Sequence, residues 1–145
     1  MQMAIERARA AGKRGDVPVG AVIVADGEIL GVGENRVEID RDPTAHAEIV
    51  ALRAAAAKIG HKFMPAHAEI YITLEPCAMC ATALSFARIG RIIYAAADEK
   101  GGAIAANARI FETDRHLFKP EIVRDLTFAE ESATLLKDFF KKLRG

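Results

Sequence analysis

Apolar and polar positions along this chain fall into blocks that switch between a helical and a strand period. Met3, Ala4, Ala8 and Ala11 recur at helical spacing with charges between them, so Met3–Arg14 is predicted as a short amphipathic helix. Val17–Ala25 is β-branched and apolar on both faces, as expected of a central strand. Asp26-Gly27 is a hairpin signal, and Glu28–Asn35 reads as the returning strand. Asp42-Pro43-Thr44 supplies helix-start chemistry before Ala45–Lys58, an alanine-rich run of high helix propensity that Gly60 ends.

The second half repeats the alternation. Ala68–Leu74 reads as a buried strand, and Pro76 suits the first turn of a helix over about Cys77–Ala87, where its missing N–H costs nothing. Gly90–Ala97 is the next strand, and the Gly- and Ala-rich Asp98–Ala108 a loop with a short helical turn. A weak strand at Glu121–Arg124 precedes a final helix, Phe128–Leu143. Strands alternating with helices predict one α/β domain over residues 1–145 whose later strands run parallel. No repeat, linker or low-complexity tail interrupts it.

Charge changes this picture little at first. Twenty Lys+Arg balance twenty Asp+Glu, so the net charge is zero and a globally basic nucleic-acid binder is excluded. A local basic patch is not, because binding depends on where charge sits. No stretch approaches the ~20 apolar residues of a membrane span, and the N-terminus lacks the apolar region of a signal peptide. A cytoplasmic protein is the expectation. The only cysteines, Cys77 and Cys80, then favour metal or thiol chemistry over a structural disulfide.

Chemistry concentrates in His46-Ala-Glu48 and Pro76-Cys77-Ala-Met-Cys80. Thiols at i and i+3 share a helix face, and in the first turn the helix N-terminus favours thiolate. One His and two Cys suit a single Zn²⁺ per chain with a fourth position open, the arrangement of a catalytic rather than a structural zinc. Glu48 is the natural proton carrier, but i and i+2 point about 200° apart on a regular helix. Both reach one site only if the pair sits at the irregular helix start. With five Pro and two Cys in 145 residues, a chance P-C-x-x-C has odds on the order of one in a thousand.

The rival readings are a structural zinc and a redox dithiol. A structural zinc wants four protein ligands; no third Cys exists, and His61, His67 and His116 have no supporting local pattern. The redox reading leaves His46 and Glu48 without a task. The joint H-x-E…P-C-x-x-C pattern is that of zinc-dependent nucleobase deaminases, in which the Glu is acid/base and not a ligand.

The resemblance extends beyond those motifs. Asp42-Pro-Thr-Ala-His-Ala-Glu-Ile49, Thr73-Leu-Glu-Pro-Cys-Ala-Met-Cys80 and Ala87-Arg-Ile-Gly-Arg91 resemble the bacterial tRNA-specific adenosine deaminases. Val17–Val22, Asn35-Arg36, Asp98–Ala103 and Leu135–Phe140 match in order as well, so the likeness spans nearly the whole chain. The resemblance implies a cytidine-deaminase-like three-layer α/β/α sandwich around a five-stranded mixed sheet, working as a homodimer. It implies zinc ligands His46, Cys77 and Cys80, with Glu48 as proton shuttle. The activity it implies is conversion of the wobble adenosine of a tRNA anticodon stem-loop to inosine.

By the same resemblance Asn35 is a substrate-contacting amide, and Phe140 and Lys141 on the last helix are RNA contacts. Asp98 and Lys100 follow the end of a predicted strand, where α/β sites gather, and join the substrate-binding candidates. Arg36, Arg88, Lys100, Lys141 and Lys142 are the basic groups from which a local patch would be built. The chain departs from the family at Ser85-Phe86, in Ala103–Ile110 and in Thr113–Pro120. Those departures keep a deaminase of free guanine or cytosine in play.

Overall fold

A computed structural model describes residues 1–145. Six helices and five strands follow in order: α1 (Gln2–Arg14), β1 (Gly20–Ala25), β2 (Glu28–Glu34), α2 (Val37–Asp40), α3 (Ala47–Ile59), β3 (Glu69–Leu74), α4 (Ala78–Phe86), β4 (Arg91–Ala96), α5 (Ile110–Thr113), β5 (Glu121–Arg124) and α6 (Leu126–Arg144). The strands form one sheet in the order β2-β1-β3-β4-β5. β1 is antiparallel to both β2 and β3, while β3–β4 and β4–β5 are parallel. The sheet is therefore mixed, with its later strands parallel as the alternating pattern predicts.

Helices cover both faces. α1 and α6 contact each other and lie on β1, β3 and β4, while α3 lies on β2 and β1 beside α4. That is the three-layer α/β/α sandwich. Its core is one continuous cluster in which Ile23, Ile70, Ile72, Leu84, Ile89 and Ile92 are fully buried. Small residues set how close the layers come. Ala47, Ala51 and Ala55, one turn apart on α3, are all buried, and they meet Gly31 and Gly33 of β2. A Cβ at Gly33 would fall on the Ala47 carbonyl oxygen, so α3 rests directly on the backbone of β2. Gly20 receives α1 in the same way, against the Ala4 carbonyl.

Element ends differ from the sequence pattern where local chemistry overrides periodicity. β1 begins at Gly20 rather than Val17, because Pro18 offers no N–H and the Val19 N–H turns back to the Val17 carbonyl (2.8 Å). α3 begins at Ala47 rather than Ala45, and α4 at Ala78 with Cys77 as its N-cap, which puts Pro76 just outside the helix. The short α2 has no apolar period and was not predicted. α6 starts two residues early, at Leu126, because the Asp125 side chain caps the Thr127 N–H (3.0 Å).

Candidate active site

Two helix starts converge at one end of the sheet's central strands. His46 is the N-cap of α3 with extended backbone (φ −66, ψ 155), and Cys77 is the N-cap of α4 in a similar conformation (φ −72, ψ 173). Asp42 shapes the approach to the first, its Oδ1 accepting from the Thr44 N–H (2.8 Å) and hydroxyl (2.7 Å). Since His46 precedes the helix and Glu48 lies inside it, the 200° separation of a regular helix does not apply. Both side chains line the same cavity.

The His46 Nδ1 lies 3.6 Å from Cys77 Sγ and 3.5 Å from Cys80 Sγ. The three donor atoms all fall within 4.8 Å of one another. Zn–S near 2.3 Å and Zn–N near 2.0–2.1 Å at tetrahedral angles require N···S separations of about 3.6 Å. The donor set therefore fits zinc in both ligand chemistry and spacing.

Without metal the trio shares protons unevenly. A hydrogen bond with Cys80, helped by His46, holds the Cys77 thiol down to about 4. Cys80 is pushed strongly upward, first by that same partnership with Cys77 and then by burial. The helix N-terminus alone predicts two thiolates; the hydrogen bond between the two thiols instead draws their affinities for a proton apart, Cys77 downward and Cys80 upward. His46 is raised by its bond to Cys77. Burial pushes the Glu48 carboxyl up, with its own amide and the Cys80 thiol acting in the opposite direction. A buried carboxyl raised in this way is suited to accept and return a proton near neutral pH.

The cavity above these groups is about 260 Å³, and Val17, Val19, Asn35, Glu75 and Asp98 line it with them. Asn35 is anchored on both sides. Its Oδ1 accepts from the Val37 N–H (3.0 Å), and its carbonyl accepts from Arg14 Nη2 (2.8 Å), which leaves the Nδ2 amide as its available donor. Arg14 also pairs with Glu34 and the buried Asp16. Asp98 Oδ1 accepts from the Lys100 and Gly101 N–H groups (3.1 and 2.9 Å), folding the loop after β4 back toward the cavity.

His46, Glu48, Cys77, Asn35 and Asp98 are thus brought together, with Cys80 completing the ligand trio. The Lys100 side chain is exposed outside the lining, as is Lys141 on α6. Phe140, 42% exposed, lines an adjoining apolar groove that shares Val17, Leu74 and Asp98 with the cavity. The basic candidates do not form one patch. Arg36 is paired with Asp40, Arg88 stacks over the Phe63 ring at 3.9 Å, and Lys142 lines a groove with Arg9 and Lys13 between α1 and α6. Glu75 is the cavity residue the sequence reading passed over. Its signal was present: an acid directly after an apolar strand and before Pro76-Cys77.

Comparison with known proteins places this arrangement. The sequence model of the MafB19-like deaminases matches residues 1–144. The chain is 44% identical to the tRNA-specific adenosine deaminase of Agrobacterium fabrum, over 99% of this chain and 93% of that one. It is 41% identical to the tRNA-specific adenosine deaminase of Aquifex aeolicus, over 100% and 94%. The chain belongs to the tRNA-specific adenosine deaminase family.

A solved structure from studies of A-to-I editing by tRNA deaminases at the wobble position superposes on this deaminase with TM-score 0.89. The two are 44% identical, and the match covers 94% of this chain and 97% of the other. The expected cytidine-deaminase-like fold is therefore present from one end of the family domain to the other.

Proposed function

We infer that this deaminase converts adenosine to inosine at the wobble position of a tRNA anticodon, with one zinc per chain held by His46, Cys77 and Cys80. The observation that carries the chemistry is the trio of ligand atoms opening on the same cavity as the buried Glu48. The substrate follows from full-length relatives named for it. Zinc held by these residues would supply Lewis-acid chemistry, lowering the pKa of a water from ~15.7 toward ~7.

The chain's own groups do the rest. The Glu48 carboxylate takes a proton from the attacking water and delivers it to the adenine ring nitrogen beside C6. It then carries the second proton to the departing amine, so that C6–NH₂ and water become C6=O and ammonia. Val17, Val19 and Leu74 give the base apolar walls. The Asn35 amide and the Asp98 segment orient it. A duplex or stacked loop cannot enter so small a space, so the adenosine must leave its stack to reach the site.

Lys100, Phe140 and Lys141 are assigned to the anticodon stem-loop outside the cavity, Phe140 through the groove beside Asp98. We take residues 1–145 as a single deaminase domain, supported by one sheet and one core. A homodimer is supported by the exposed Met79 and Phe86 of α4, with Phe118 exposed nearby. No helix is long and apolar enough to cross a membrane, and a cytoplasmic location is supported by the proposed tRNA substrate.

Product analysis on an anticodon stem-loop with adenosine at the wobble position, beside free adenosine, guanine, cytosine and cytidine, tests this reading. Inosine formed only in the stem-loop supports it. Ammonia from a free base with no change in the RNA overturns it in favour of a small-molecule deaminase.

A further inference from the structure

Three carboxylates line the cavity, Glu48, Glu75 and Asp98, and hydrogen bonding sets Glu75 apart from Glu48. Glu75 is 3% exposed and sits between the end of β3 and Pro76-Cys77. Its Oε1 accepts from the Asp98 N–H (3.3 Å), and its Oε2 accepts from three successive amides, Ile104, Ala105 and Ala106 (3.2, 3.1 and 3.2 Å). Both oxygens are therefore taken up by the backbone of one loop. Four N–H groups thus engage the Glu75 carboxylate as a hydrogen-bond acceptor on both oxygens.

The geometry points to Glu75 as a positioning residue that fixes the 98–106 loop against the ligand-bearing segment and so sets the shape of the substrate cavity. Two backbone bonds run parallel to the clamp: the Glu75 N–H donates to the Ala96 carbonyl (2.8 Å) and the Ala103 N–H to the Pro76 carbonyl (2.8 Å). The loop's cavity-lining members, Asp98 and Gly101, are held through Asp98 itself, which accepts from the Gly101 N–H. Gly102 leaves room for the carboxylate, since a Cβ there would lie 2.5 Å from Glu75 Oε2 and 2.5 Å from the Asp98 carbonyl oxygen. Substrate fit is thereby governed by a group that acts through Asp98 and Gly101.

The readout in turnover rests on the tRNA-deaminase reading above; the readout in amide exchange does not. Glu75→Gln is nearly isosteric but turns an NH₂ group toward one set of N–H donors. In the zinc-loaded protein it is expected to raise KM for the anticodon stem-loop about tenfold or more, with kcat within about threefold and zinc still at one per chain. Hydrogen exchange at Ile104–Ala106 is expected to accelerate at least tenfold while the amides of β3 and β4 keep their protection. Gly102→Ala, which displaces the same carboxylate, should reproduce both effects.

A kcat loss above a hundredfold with KM unchanged would make Glu75 a proton carrier and overturn the proposal. A lowered melting temperature with unchanged KM and unchanged exchange in the loop would reduce it to a stability residue and overturn it equally. If the wild-type protein turns over no stem-loop, the functional reading fails, and exchange at Ile104–Ala106 still decides the clamp.

Discussion

The Nδ1 of His46 stands 3.6 Å from the Sγ of Cys77, although 31 positions of sequence separate them. Each residue is the N-cap of its own helix, so the spacing is set by how α3 and α4 start rather than by any loop reaching across. Zinc takes up thiolate and neutral imidazole, so it competes with protons for these donor atoms. Cys80 and His46 are both raised in proton affinity, so apparent zinc affinity should rise as pH rises from 6 to 8. Zinc titration in buffers of different ionisation enthalpy checks this by counting the protons released, expected at one or more per ion.

Glu48→Gln should leave zinc at one per chain and lower kcat by about 10²–10⁴-fold, the usual contribution of a positioned acid/base. Metal analysis beside single-turnover kinetics separates the roles. Loss of zinc together with activity would mean that Glu48 supports the ligands instead of moving protons.

Gly33→Ala tests how tightly the site is tied to the sheet. The added Cβ meets the Ala47 carbonyl and the Ala51 amide, so α3 must shift or β2 must bend. A destabilisation of about 1–3 kcal/mol is expected from overpacking, read by denaturant titration. Because α3 carries His46 and Glu48 at its start, activity measured well below the unfolding midpoint should fall as well. Gly27→Ala, at a turn with open space around it, costs stability through its positive φ (74°) without that loss of activity.

Asp42 sets a pH dependence of the approach to His46. Its hydrogen bonds from Thr44 hold its carboxyl below the ordinary value near 3.9. A depressed folded pKa contributes stability that is present above about pH 4 and lost as pH falls through the folded value. Asp42→Asn should therefore be less stable than wild type at pH 6, and the gap should close on acidification below pH 4, as followed by thermal melts across that range.

Much of this was legible in the sequence, and for identifiable reasons. Strand and helix order followed from periodicity because the central strands β1, β3 and β4 are largely buried and α1 and α6 are amphipathic. The ligand trio was legible because P-C-x-x-C and H-x-E mark helix starts, whose irregular geometry is what lets His46 and Glu48 share a site. The start of β1 was misplaced because Val17 and Val19 are apolar as cavity wall, not as strand. Glu75 was missed because its partners are backbone amides some 23–31 residues away, which no side-chain pattern encodes. The cations Arg36 and Arg88 drew attention as charges, yet one is matched by Asp40 and the other lies on Phe63.

The order of the sheet has a consequence for how this enzyme can change. Val19 precedes β1, Asn35 follows β2, Glu75 follows β3 and Asp98 lies just beyond β4, all at the cavity. Four neighbouring strands each lend a tip to a common rim, while the fully buried isoleucines lie further along β1, β3 and β4. Asn35 and Asp98, at the tips of β2 and β4, are the rim positions where a new base preference could arise furthest from the core cluster.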